Sequence, residues 1–204
     1  MIDFLSSQGL TGITALLSGL VYILLATNKD SRCWYFGILS CSLIAYDDIT
    51  RYHLYSDAVL QVFYVLAAIA GLISWKRWKI DSFPWEALRN ARTHFLAIVI
   101  MLILSWVLVE YVWVHTDANV PWLDSFTTLM SVWATLLLVA GLRINWIYWI
   151  IANSIYLYIY GSQQAWAFFI LILIYLIMAV YGWYNWGKLA LIGTVNRELG
   201  QRNE

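Results

Sequence analysis

The sequence predicts an all-α integral membrane protein of seven transmembrane helices, and three observations carry that prediction. Hydrophobic residues make up 62% of the 204 and charged residues only 12%, where a soluble domain has about 45–50% and about 25%. Apolar runs of roughly 20 residues, the length that crosses a bilayer core, fall at 8–28, 34–50, 57–76, 93–114, 122–142, 144–160 and 164–187. The third observation is where the basic residues lie. With the N-terminus outside, Lys29, Arg32, Lys76, Arg77, Lys79, Arg89, Arg92, Arg143, Lys188, Arg197 and Arg202 fall inside and Arg51 alone outside, so 11 of the 12 basic residues obey the positive-inside rule. The expected topology is therefore N-out, C-in, in a bacterial inner membrane or an equivalent one. Net charge is zero, so the total gives no reason to expect a nucleic-acid partner.

The elements follow in order. The start, MIDFLSSQGL, has no basic stretch and no small-residue cleavage site, so no removable signal peptide is expected. The second span opens on Trp34 and runs to Asp47 and Asp48, which read as outer loop residues because DDITR lacks the third carboxylate of a metal or diphosphate motif. Cys33 and Cys41 form no Cys-x-x-Cys pair and are expected to be free thiols. Asp57 and Asp124 sit just before or at the helix starts of the third and fifth spans, and both read as N-caps. Between the third and fourth spans, residues 76–92 are basic, aromatic and broken by Pro84. They read as a cytoplasmic connector resting on the membrane surface.

Self-similarity divides the chain further. Trp34-Tyr-Phe-Gly37 matches Trp146-Ile-Tyr-Trp149 at an offset of 112, Gly71…Trp75 matches Gly182…Trp186 at 111, Tyr64 matches Tyr175, and Ser18 matches Ser131 at 113. Three crossings end on the far side of the membrane, so a second unit in the same orientation needs one extra helix, which 93–114 supplies. The spans thus parse as a SWEET-like 3+1+3 parallel repeat, a class that binds its solute near the midplane between the units. The expected divisions are 1–78, a first three-helix unit; 79–118, the connector and linking helix; 119–187, the second unit; and 188–204, a cytoplasmic tail.

Residues 145–160, NWIYWIIANSIYLYIY, hold the most informative polarity. At 100° per residue Trp146, Trp149, Asn153, Tyr156 and Tyr160 share an arc of about 80°. An amide buried without a partner costs roughly 2–7 kcal/mol, so this stripe faces protein or a water-filled cavity. Two readings fit: an interhelical hydrogen bond from Asn153, or a site where indoles stack on a flat, polar and even cationic ring while the amide donates and accepts. Asn153 matches Cys41 and Trp149 matches Gly37, so the repeat itself does not require them. Gln61 and Tyr64 share a face of the third span, with the same two readings open.

Nothing points to an enzyme. There is no phosphate-binding Gly-rich loop, no nucleophile elbow, and no metal set among His53, His94 and His115. All four lysines lie at span ends or in loops, which excludes a retinal Schiff base. No cofactor and no metal are expected. The class that competes with a transporter is a helical scaffold or receptor whose buried polar groups are structural.

The blocks LYSDAVLQVFYVLAAIAGLISW and DSFTTLMSVWATLLLVAGLRINWIYWIIANSIYLYIY resemble the PnuC family of vitamin transporters across essentially the whole chain. The carriers of the resemblance are the WxxWxxxN pattern at Trp146, Trp149 and Asn153 and the pair Asp57 and Gln61. It implies a frequently trimeric transporter that works by facilitated diffusion, its vitamin trapped inside by a cytoplasmic kinase. It also implies that Trp146, Trp149, Asn153 and Gln61 touch substrate, with Tyr156 and Tyr64 beside them. Members called PnuT carry thiamine and the name-giving members carry nicotinamide riboside. The short stretch before the first span resembles the thiamine type, which puts thiamine first and nicotinamide riboside second.

Overall fold

Long apolar stretches free of internal proline leave the backbone one way to satisfy its polar groups in an apolar medium, which is the helix. In a computed structural model that describes residues 2–77, 88–115 and 121–202, seven α-helices form: α1 (Ile2–Thr27), α2 (Cys33–Asp47), α3 (Tyr55–Arg77), α4 (Ala91–His115), α5 (Pro121–Val139), α6 (Asn145–Ser162) and α7 (Trp166–Arg202). Most of the connector expected at 76–92 lies outside the described residues. Five helices are long and apolar enough to cross a membrane: α1, α3, α4, α5 and α7. α2 is short at 15 residues, and α6 owes its lower hydropathy to the Trp, Tyr and Asn side chains of its stripe.

Two expectations are corrected. Asp47 and Asp48 are buried, not loop residues. Asp47 ends α2, and its two carboxylate oxygens share the single proton of the Thr11 hydroxyl, at 2.9 and 2.7 Å, while a π-helical turn over Asp48–Tyr52 carries the chain onward. Neither Asp57 nor Asp124 is an N-cap: α3 starts two residues before Asp57 and α5 three before Asp124, so each lies in a first turn, where a carboxylate still complements the helix dipole. The expected tail is helical to Arg202, since KLALIGTVNRELGQR contains no proline to stop it.

α2 packs on α1 and α3, and α6 packs on α5 and α7. The two groups meet crosswise, α1 against α7 and α3 against α5, while α4 packs on α5. Each group's first helix thus meets the other group's third. The turns that end α1 and α5 also agree bond for bond. Lys29 and Gly141 take left-handed φ of 57° and 68°. Their N–H groups donate to Ala26 O and Leu138 O, and those of Asp30 and Leu142 to Leu25 O and Leu137 O, the pattern of a Schellman stop. Beyond the turns, Cys33, Trp34 and Tyr35 donate three residues back, as do Asn145, Trp146 and Ile147.

Indoles lock the groups together. Trp34 lies against Gly71 and Trp146 against Gly182, so close that a Cβ built at Gly182 would stand 2.6 Å from the Trp146 ring. Trp75 Nε1 donates to Leu138 O across α3 and α5 at 3.2 Å. Trp186 Nε1 donates to Ala26 O across α7 and α1 at 3.0 Å. The four rings form a chain, Trp34–Trp75–Trp186–Trp146, with centroid separations of 5.1, 5.7 and 5.6 Å.

Gly182→Val drives a side chain into the Trp146 ring. It is expected to lower stability by about 2 kcal/mol or more, whereas Gly193→Ala, at a position with nothing within 4 Å, should change it little. Thermal unfolding of both variants in detergent measures the difference.

Candidate functional site

Above this indole chain the helices enclose a cavity of about 260 Å³ lined by α1, α2, α3, α5, α6 and α7. Its size is close to the roughly 300 Å³ at which small-molecule sites begin, so it suits a solute of one or two rings. Five of the six residues expected at a site line it: Trp146, Trp149, Asn153, Gln61 and Tyr64. Tyr156 does not. It stands farther along α6, stacked on Tyr160 at 6.0 Å with its hydroxyl toward Thr127, Thr128 and Ser131 of α5. The stripe is therefore one face of α6 but spans two environments.

Local geometry explains the placement. The turn before α6 aims Trp146 inward, and it is fully buried. Asn145 Nδ2 donates to Leu142 O at 2.7 Å and ties that turn. One turn on, Trp149 reaches the wall that in the first group belongs to Gly37, where the missing side chain leaves room for Tyr22. Asn153 follows at 4% exposure. Among the described residues neither its carboxamide nor that of Gln61 has a protein hydrogen-bond partner, so the interhelical bond that competed for Asn153 is not made.

Some lining residues lay outside the sequence expectation: Tyr22, Ser40, Thr135 and Tyr175. The signal for Tyr175 was its match with Tyr64. Tyr22 had none, because a tyrosine in an aromatic-rich span reads equally well as an interfacial anchor. Cys41 also lines the cavity and both cysteines are free.

Charge is segregated about the cavity. Its lining contains no Lys, Arg, His, Asp or Glu among the described residues. At the indole end Lys29 lies over Trp186 at 4.9 Å, Lys76 donates to the Tyr35 hydroxyl at 2.6 Å, and Arg143 donates to Trp183 O at 2.8 Å. In the exposed loop there, Arg32 bonds Asp30 and holds its carboxyl below the usual range. At the other end Asp57 neighbours Asp48 and Asp124.

Residues 9–188 match the family described as nicotinamide mononucleotide transporter. A nicotinamide riboside transporter PnuC from Neisseria mucosa is 25% identical over 94% of this chain and 75% of its own. Another PnuC, from Haemophilus influenzae, is 22% identical over 85% of this chain and 77% of its own. A crystal structure of the vitamin B3 transporter PnuC superposes with a TM-score of 0.68, covering 92% of this chain and 84% of that one at 23% identity, a likeness of fold. The chain belongs to the PnuC family and is a multi-pass membrane protein whose relatives are transporters.

Because Asn153 has no protein partner, Asn153→Leu is expected to leave the thermal unfolding midpoint unchanged or slightly raised. Loss of folded protein would instead mark Asn153 as a structural link.

Proposed function

We propose that this protein carries nicotinamide riboside across the membrane by facilitated diffusion through the cavity between its two three-helix groups. The observation that carries the reading is the pair of unpartnered carboxamides, Asn153 and Gln61, in a cavity walled by Trp149. A pyridinium ring stacks on an indole and its positive charge is attracted to the ring face. The ring's own carboxamide both donates and accepts, as Asn and Gln side chains do. The relatives' names support the same solute. They give thiamine no support, so the riboside replaces it as first choice.

The family description names the mononucleotide, and the cavity argues for the riboside instead. A phosphate would enter a lining without a cation, and burying such a charge unpaired costs several kcal/mol. That exclusion suits trapping: once a cytoplasmic kinase phosphorylates the vitamin, the product no longer fits the path out. The carboxylates Asp48, Asp57 and Asp124 at the outer mouth would raise the local concentration of a cationic solute.

We further infer the SWEET-like 3+1+3 parallel repeat with N-out, C-in orientation in a bacterial inner membrane, divided at 1–78, 79–118, 119–187 and 188–204. The matched turns, the crosswise packing and the paired indole bonds support the repeat. Basic side chains at the indole end support placing that end inside. A homotrimer and dependence on a vitamin kinase are retained as proposals from the family resemblance, and Tyr156 is proposed to flank the solute path rather than the cavity.

Titrating the purified protein by calorimetry with nicotinamide riboside, nicotinamide mononucleotide and thiamine tests the reading. The riboside is expected to bind at least about a hundredfold more tightly than the mononucleotide. Silence with all three would favour a scaffold or receptor, and a preference for thiamine would overturn the substrate.

A further inference from the structure

We propose that Tyr22 and Tyr175 are specificity-determining residues that hydrogen-bond the sugar hydroxyls of the solute, an inference that rests on the riboside reading. Tyr175 shows why. Its match in the first group is Tyr64, and the match of Ser131 is Ser18. The Tyr64 hydroxyl faces Ser131 across α3 and α5, and Ser131 sends its own proton to Thr127 O at 2.8 Å. The corresponding pair across α7 and α1 is not made. Ser18 turns its hydroxyl onto Thr14 O and Ala15 O of its own helix, at 2.7 and 3.0 Å. The Tyr175 oxygen stands instead beside Gly19, 3.2 Å from the position a Cβ would take there.

That glycine opens a recess. Ser40 Oγ borders it at the same 3.2 Å and directs its proton to Ala15 O at 2.8 Å, which leaves the serine an acceptor. Tyr22 reaches the recess from α1, one edge of its ring against Gly37, where a Cβ would lie 3.1 Å from Cδ2, and its centroid 6.1 Å from that of Trp34. Its hydroxyl has Cys41, Tyr64 and Tyr175 as neighbours. Both tyrosines line the cavity, and neither hydroxyl has a protein hydrogen-bond partner among the described residues.

Each phenol can donate one hydrogen bond and accept another, and a solute that displaces water from the cavity must supply those bonds, because leaving such a group unpaired away from water is costly. The groups suited to the aromatic ring, Trp149 and Asn153, are on α6. The phenols are on α1 and α7, so the cavity offers separate surfaces to a ring and to a hydroxyl-bearing part. Several donors and acceptors gathered around a small recess match adjacent hydroxyls on a pentose. The single hydroxyl of thiamine would leave part of the set unpaired.

The test is a double cycle. Wild type, Tyr22→Phe and Tyr175→Phe are titrated by calorimetry with nicotinamide riboside and with its 2′-deoxy and 3′-deoxy analogues, and Ser18→Ala serves as a control expected to bind as wild type does. Each Phe variant keeps its ring, and its thermal unfolding checks that the fold is retained. Each is expected to weaken riboside binding by about threefold to tenfold. For one analogue per variant, losing the hydroxyl should cost wild type a similar factor and the matching variant nothing. Unchanged riboside affinity in both variants, or losses that simply multiply for every analogue, would overturn the inference and leave the functional reading standing. If wild type itself bound no riboside, the functional reading would fail, and this inference with it.

Discussion

Two indole N–H groups, each donating across the boundary between the three-helix groups to the last turn of a helix, set the geometry on which the cavity depends. Trp75 holds Leu138 O and Trp186 holds Ala26 O, and both carbonyls also accept the N–H that closes the helix stop. A shift of either group therefore breaks an intergroup bond and disturbs a helix end together. The indoles can come this close because the third helices present Gly71 and Gly182 to Trp34 and Trp146. Closing this end has a counterweight: the N–H groups of Trp34 and Trp146 are buried without partners among the described residues. Each stranded donor costs about 1–3 kcal/mol, comparable to or larger than a typical hydrogen bond made elsewhere. These two stranded donors offset much of what the two intergroup indole bonds contribute.

The polar groups of the cavity depart from the near-symmetry of the helices around them. Trp149 stands where the first group has Gly37, Asn153 where it has Cys41, and Gln61 where the second group has Ile172. Symmetric packing needs none of these, and their carboxamides find no partner in the protein. A chain selected only for helix association would satisfy such groups or replace them with carbon, since interhelical bonds in membranes are worth about 0.6–2 kcal/mol and unpaired amides cost more. Their unpaired state fits groups kept for a solute.

The helices are legible in the sequence because a long apolar run has only one economical backbone solution, although five of the seven, among the described residues, are long and apolar enough to cross a membrane. Trp34, Gly71 and Trp75 recur as Trp146, Gly182 and Trp186 with nearly fixed spacing, and the two sets make matching contacts. Five of the six expected site residues line the cavity, and they could be picked out because large aromatics and amides are conspicuous in apolar helices. Tyr156 lies outside it: helical period places it on the face of Asn153, but period says nothing of where a cavity ends. Asp47 and Asp48 were misread because DDITR resembles a polar loop; the distant Thr11 hydroxyl and the Arg51 guanidinium engage Asp47, while Asp48 Oδ2 is buried without a hydrogen-bond partner among the described residues. Tyr22 was invisible for a related reason, as its role depends on the missing side chain of Gly37 one helix away.

The absence of charge from the cavity lining gives an equilibrating path a direction. A facilitator without ion coupling cannot concentrate its solute, so accumulation must come from removing the free form on one side. A lining rich in indole, phenol and carboxamide but without Lys or Arg accepts a cation that carries hydroxyls. On the proposed riboside reading it would disfavour the same molecule once a phosphate is added, because the added negative charge would be desolvated with no cationic side chain beside it. Selectivity that excluded the phosphorylated product on entry would also prevent its escape, so the chemistry of the wall and the chemistry of the proposed kinase would act as one device. A single lysine in the lining would undo that device by admitting the product, which is a physical reason for the basic residues to be held at the indole end, engaged by Trp186, Tyr35 and Trp183.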